Sequence, residues 1–391
     1  MRAILVSLAV AVACAPPTPP APVAPACQGP CLWTRLADVV DSGIAAGAAP
    51  GAVIAISSRG VRYVHGTGQL GIGDTTRPGP GTVYDLASLT KVIALTTGLM
   101  FAVEERRIGL EDPVSRHVAA FRGGRRDSVT IRHLLTHSSG LPDHRRLWEL
   151  SADRSGALAV ASATPLDTTP GVRTVYSDIG AIVLTQALEH AYQERIDSLL
   201  SRRLFTPLGM SATRYLPPPS WLPRIAPTER DPWRGRLLRG EVHDENASWL
   251  GGVSGHAGLF ATADDLLSFG EWLLAQRAGR SCVRPCPVLP PATVSEFSRR
   301  QEIVPGSSRA LGWDTPSPGS SAGTLLSASS FGHTGFTGTS IWIDPARDLV
   351  VVLLSNRVHP TRNNPRLGPL RGVAADRAVQ VTGELSGPRI R

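Results

Sequence analysis

Two stretches rich in β-branched and apolar residues lie at opposite ends of this chain. They are "GAVIAISSRGVRYVHGTG" at 51–68 and "TSIWIDPARDLVVVLLSNR" at 339–357. The first reads as two short strands turning at Gly60, the second as two strands joined by "DPARD". Between them the helix period dominates, from Ser88 to about Val103 and on to "DDLLSFGEWLLA" near residue 275. Strands at both ends of a long helical middle imply one antiparallel sheet whose first and last parts must meet. Leu32, Leu36, Val39, Val40 and Ile44 recur at helical spacing before the first strands, and a final helix is expected from Leu370 to Val381. The expectation is an α/β fold of the α+β type over residues 32–385, with a mostly helical insertion at about 105–275. No internal repeat is visible.

A chain of 391 residues with 42% hydrophobic residues can bury a large core in one or two domains. Its formal charge of +8 raises the question of nucleic acid. The arginines are scattered, however, and the longest cluster, Arg122, Arg125 and Arg126, is short, broken by glycine and free of interleaved aromatics. Nucleic acid is therefore not an expected partner.

Residues 1–13 have the layout of a secretory signal, with Arg2 followed by an apolar run that ends at small residues. That run is too short to span a bilayer. Cleavage after the A-x-A of Ala11 to Ala13 is one reading; lipoprotein processing that leaves a lipidated Cys14 is the favoured one, although alanine replaces the usual leucine three positions before it. Residues 14–31, with prolines from Pro16 to Pro22, read as a stiff spacer that holds a domain off a membrane. Five cysteines are an odd number for an exported protein. With Cys14 as the lipid site, Cys27, Cys31, Cys282 and Cys286 are left as two C-x-x-x-C pairs that allow three connectivities. The local pairing is preferred over a zinc site, because an oxidising compartment favours disulfides.

Of the 40 basic residues, 39 are arginine and one, Lys91 in "YDLASLTKVIAL", is lysine. On a helix, residues three apart share a face with Cβ atoms about 5–6 Å apart, so Ser88 and Lys91 can share a hydrogen bond. Serine becomes a useful nucleophile when a neighbour takes its proton. A neutral amine can do so, whereas arginine stays protonated in proteins. Downstream, "PGVRTVYSDIGAIVL" places Tyr176 and Asp178 at the mouth of an apolar helix, and "SFGHTGFTGTSIWID" places His333, Thr334 and Gly335 at the opening of a strand.

Ser-x-x-Lys, then Tyr-x-Asp, then His-Thr-Gly, in that order, resembles the serine beta-lactamase and penicillin-binding-protein superfamily. "ASLTK", "IRHLLTHSSGLP" (131–142), "FTPLGMSAT" (205–213) and "GHAGLFATADDL" (255–266) resemble its class C-like branch, which contains D-alanyl-D-alanine carboxypeptidases and related esterases. The resemblance covers roughly residues 33 to 385 and implies an acyl-enzyme at Ser88 with no cofactor and no metal. It implies Lys91 as general base, Tyr176 as proton relay, and the backbone N–H groups of Ser88 and Phe336 as oxyanion hole. Asp178, His333, Thr334 and Gly335 are implied to contact substrate, and His256 is expected to line the cleft as a loop-shaping hydrogen bonder, as is His359.

Three departures bear on substrate. Asp178 stands where the family often has asparagine, and a carboxylate close to Lys91 would raise the lysine pKa unless it were protonated or turned away. His333 replaces the lysine usual in true beta-lactamases, which weakens a positive anchor. No E-x-x-L-N motif is present. "EVHDENASWLGG" with "SNRVHPTRNN" resembles a branch also found fused to bacterial family 3 N-acetylglucosaminidases, which implies cell-wall material as substrate. Adjacent His243, Asp244 and Glu245 cannot all face one metal ion. The expected function is hydrolysis of D-amino-acid-containing peptidoglycan peptides; the alternatives are a carboxylesterase or weak beta-lactamase, and a non-catalytic wall-binding or beta-lactam-sensing module.

Overall fold

The computed structural model describes residues 30–281 and 286–385. The signal and spacer, with Cys14 and Cys27, and also Cys282 lie outside the described residues. Helix α1 (Pro30–Ala45) leads into β1 (Gly51–Ser58) and β2 (Val61–Gly68). A π-helical turn, Lys91–Thr96, runs directly into α2 (Thr97–Glu104), and α3 (Asp178–Tyr192) and α4 (Ala263–Arg277) follow. Strands β3 (Phe331–Thr334), β4 (Ser340–Asp344) and β5 (Leu349–Ser355) precede the terminal helix α5 (Leu367–Leu385).

The two ends of the chain meet as expected, in one five-stranded antiparallel sheet of order β2-β1-β5-β4-β3. Ile54 of β1 faces Leu353 of β5, and Ala55 faces Val352. Strands β1 and β5 are buried along their whole length. Period two then sends alternate residues into two cores. Ala52, Ile54, Val351 and Leu353 pack under α1 and α5, while Val53, Ala55, Val350 and Val352 join the large core with α2, α3 and α4. Burial on both faces explains why "AVIAI" and "LVVVLL" read as continuous apolar runs.

Three boundaries differ from expectation. The first helix begins at Pro30, inside the expected spacer, and so takes in Cys31. His333 and Thr334 close a strand instead of opening one, because the chain turns through Gly335 to Gly338, the last at φ +121°. The expected helical insertion is helical only in part. Residues 206–244, with five prolines from Pro217 to Pro227, form turns, a 3-10 turn and two-residue strands, since proline removes a donor and blocks helix propagation.

Candidate active site

Ser88 is set by the turn that precedes it. Tyr84–Asp85 pairs with the short strand Leu259–Ala261. The buried Asp85 carboxylate accepts the Ala87 N–H at 2.8 Å and the His243 N–H at 2.7 Å. Thr337 donates its hydroxyl to the Asp85 carbonyl at 2.7 Å and Thr339 donates to the Leu86 carbonyl at 2.9 Å. These bonds hold Ala87 at φ +46°, a left-handed conformation that costs an alanine of order 1–3 kcal/mol. The strained turn delivers Ser88 to the start of the helical run that carries Lys91.

Lys91 is 3% exposed. Its Nζ lies 3.0 Å from Ser88 Oγ, 3.0 Å from the His256 carbonyl and 2.6 Å from Asp178 Oδ1. The first two contacts are hydrogen bonds, and the third is a close ion pair without hydrogen-bond alignment. Burial by itself pulls this amine down, but the Asp178 charge, helped by Tyr176, outweighs it and the net effect is a rise. Asp178 is thus neither turned away nor distant, and Ser88 Oγ stands as an acceptor of a Lys91 N–H.

Tyr176 lies against Lys91, with Nζ 4.9 Å from the ring centroid. Its hydroxyl is buried and makes no hydrogen bond among the described residues. Arg309 Cζ sits 5.2 Å from the same ring. His333 donates from Nδ1 to the Thr334 carbonyl at 2.8 Å, which leaves Nε2 a buried acceptor without a donor among the described residues. Burial, with Arg309 and Lys91 nearby, pushes His333 down to about 3, so the ring is neutral and anchors no anion by charge.

Ser88, Tyr176 and Phe336 are shared by two cavities. One, of about 720 Å³, is walled by Trp148, Trp233, Asp178, Asp244 and Phe336. The other, of about 520 Å³, is lined by His333, Thr334 and Gly335 together with Arg309, Arg357 and Arg371. Burial and the Arg357 charge push Arg371 down to about 10, and its Nε has no partner among the described residues. Neither the Ser88 nor the Phe336 backbone N–H donates to another group among the described residues, which leaves both available for a carbonyl oxygen.

Gly335 allows close approach. Its N–H goes to the Thr339 carbonyl at 2.7 Å and its carbonyl accepts Arg371 Nη2 at 2.8 Å, while a Cβ here would lie 2.1 Å from Thr339 Oγ1 and 2.4 Å from the Leu86 carbonyl. His256 is buried, bonded to Ser254 Oγ and Asp244 Oδ1 at 2.8 Å each, and it reaches the site through the carbonyl that holds Lys91. His359 donates to the Thr228 carbonyl and accepts the Ile72 N–H, which fixes a loop. The side chains at 243–245 diverge, His243 to Glu229, Asp244 to His256 and Glu245 to Arg362. Cys31 and Cys286 are both disulfide-bonded.

Several site residues escaped the sequence reading. His137 lay inside a quoted motif without a role, and Trp148 and Trp233 carried no periodic signal. Arg309, Arg357 and Arg371 were hidden by the arginine usage that made Lys91 conspicuous.

The Beta-lactamase family profile matches residues 36–376. A Salmonella paratyphi B protein, named provisionally as a D-alanyl-D-alanine carboxypeptidase, is 32% identical over 318 residues, covering 74% of this chain and 72% of that protein. Among solved structures, a beta-lactamase/D-alanine carboxypeptidase from Pseudomonas syringae superposes with a TM-score of 0.71 at 18% identity, over 91% of this chain and 99% of that one. EstCE1, a hydrolase with promiscuous acyltransferase activity, superposes with a TM-score of 0.71 at 23% identity, over 89% and 98%. The fold, the sequence match and the order of motifs agree, and the chain belongs to the beta-lactamase family of serine hydrolases.

Proposed function

We propose that this protein is an exported hydrolase of D-amino-acid-containing peptidoglycan peptides, acting as a D-alanyl-D-alanine carboxypeptidase through an acyl-enzyme on Ser88. The observation that carries this reading is the position of Ser88, 3.0 Å from Lys91 Nζ and open to a cavity with three arginines on one side. A peptide C-terminal carboxylate is complementary to Arg309, Arg357 and Arg371, which replace the charge that neutral His333 lacks. The larger, aromatic-walled cavity then receives the acyl side. Ser88 Oγ attacks the peptide carbonyl, the Ser88 and Phe336 N–H groups take the developing oxyanion, and the Tyr176 hydroxyl passes a proton to the leaving amine. Water enters by the reverse path and releases the acyl group.

The test combines release of D-alanine from a diacetyl-Lys-D-Ala-D-Ala peptide with mass mapping of a fluorescent penicillin adduct. D-Alanine release, with the adduct on Ser88 and both lost in Ser88→Ala, is the expected result. An adduct that persists in that variant overturns it. Ester hydrolysis is the second reading, favoured by the neutral His333, and a p-nitrophenyl ester turned over while the peptide is not would select it.

Export through residues 1–13 and a lipid on Cys14 belong to the same proposal, supported by the signal layout and the proline spacer. No helix among the described residues is long and apolar enough to cross a membrane. Palmitate incorporation, lost in Cys14→Ala, is the expected outcome; a soluble chain beginning at Cys14 without lipid would select ordinary signal cleavage.

A further inference from the structure

Lys91 poses a chemical difficulty that its neighbours resolve. As an ammonium it donates to Ser88 Oγ and the His256 carbonyl and lies 2.6 Å from Asp178 Oδ1, so in this state it donates to the nucleophile and has no lone pair with which to accept. One proton must leave before Ser88 can be deprotonated. The His256 carbonyl cannot hold it, and Tyr176 as a phenol is itself a donor. Asp178 Oδ1, at 2.6 Å, is buried and has no hydrogen bond to another group among the described residues. It also belongs to the first turn of α3, whose N-terminus favours a negative charge in the resting state.

We infer that Asp178 is the proton reservoir of Lys91, taking one ammonium proton as the lysine takes the proton of Ser88. The inference rests on the assignment of Ser88 as nucleophile. In the step, a Lys91 N–H bond breaks as an O–H bond forms on Asp178 Oδ1. The amine then takes the Ser88 hydroxyl proton while Ser88 Oγ bonds to the substrate carbonyl carbon. One negative charge moves from Asp178 to the carbonyl oxygen, where the Ser88 and Phe336 N–H groups meet it. When the leaving group departs, Lys91 supplies its proton through Tyr176 and Asp178 returns its own to Lys91, so no proton is gained or lost. An asparagine at this position cannot take the proton.

The titratable groups around the pair are Tyr176, the buried His137 and His333, Arg309 over the Tyr176 ring, and His256 held by Asp244. None of them lies between Lys91 Nζ and Asp178 Oδ1. The reservoir role and a lysine that loses its proton to solvent give opposite signs in one experiment. If solvent takes the proton, Asp178→Asn removes the charge that raises Lys91 and moves the acid limb of acylation to lower pH. If Asp178 takes it, the variant must wait for free amine, and the limb moves to higher pH.

The measurement is the single-turnover rate of Ser88 acylation by fluorescent penicillin from about pH 4 to pH 10 in wild type, Asp178→Asn, Asp178→Glu and Ser88→Ala. The expected result is a wild-type acid limb below neutral pH, a limb displaced upward by more than about one unit in Asp178→Asn, and a return towards wild type in Asp178→Glu. A limb that stays or moves down in Asp178→Asn overturns the inference. Should that variant not fold, a wild-type limb far on the alkaline side overturns it alone. Labelling that survives Ser88→Ala instead overturns the nucleophile assignment, and the relay with it.

Discussion

His137 holds the chain on both sides of Tyr176. Its carbonyl accepts the Val175 N–H at 2.8 Å, its Nδ1 accepts the Ser177 N–H at 3.0 Å, and its ring tilts over the tyrosine ring at 4.6 Å. To do so it adopts φ +55°, a strained position for a β-substituted residue. Nδ1 must stay unprotonated to accept, and burial with the nearby cations Arg309 and Lys91 holds this imidazole well below its ordinary pKa. The tyrosine ring is thereby fixed while its hydroxyl makes no hydrogen bond among the described residues.

Tyr176→Phe should separate chemistry from stability. The ring keeps its contacts with His137 and His333, and the hydroxyl it loses is a buried group without a hydrogen bond among the described residues. Deleting an unsatisfied polar atom does not destabilise, so the melting temperature should stay level or rise. Loss of a proton relay should lower kcat by about 10²- to 10⁴-fold. Calorimetry and steady-state kinetics on one preparation check both, and equal turnover would move Tyr176 to a packing role.

Lys91→Arg keeps the charge that this chain uses everywhere else. A guanidinium could still pair with Asp178 but cannot release a proton to it, so acylation of Ser88 should fall by at least about 10²-fold. Stopped-flow labelling of the folded variant is the check. A loss below about tenfold would leave Lys91 with a structural role only.

Arg309→Ala tests the basic side of the cleft. Arg309 lines the cavity beside Ser88, and its side chain makes no hydrogen bond among the described residues, so the fold should tolerate the change. KM for a peptide ending in D-alanine carboxylate should rise about tenfold or more, the cost of one charge-assisted contact of ~1.5 kcal/mol or above, while a neutral p-nitrophenyl ester is little affected. An equal effect on both substrates would place Arg309 in the support of Tyr176 instead.

Buried neutral histidines give stability a definite pH dependence. His333 is 4% exposed and its pKa is depressed to about 3 by burial, with Arg309 and Lys91 adding to it. Between that value and the ordinary histidine pKa of about 6.5 the unfolded chain binds a proton that the folded one does not, so stability rises with pH across this window. The contribution is complete above the unfolded value and is lost as pH falls, by up to about 1.4 kcal/mol per pH unit. Denaturant unfolding of wild type and His333→Gln at pH 5 and pH 7 should show a smaller difference in the variant. An identical difference would mean that His333 is protonated in the folded protein.

What the sequence determined by itself is what local spacing encodes. Ser88 and Lys91 lie three residues apart at a helix start, and such spacing sets distance wherever the helix lies; their 3.0 Å contact follows. The short apolar, β-branched runs at 51–58 and 349–355, with turns at Gly60 and "DPARD", likewise specify strands that need partners. What only the tertiary structure decided is which distant groups converge on that pair. Asp178 arrives from α3 and the His256 carbonyl from a loop 165 positions along the chain. The Asp178 charge, helped by Tyr176, outweighs burial and raises an amine that was expected to be neutral. The arginines beside His333 come from three further segments, and nothing in their spacing distinguishes them from their many exposed counterparts. A side chain's pKa and partners depend on burial and on charges within a few ångströms, and those are properties of chain segments packed together, invisible until the fold brings them into contact.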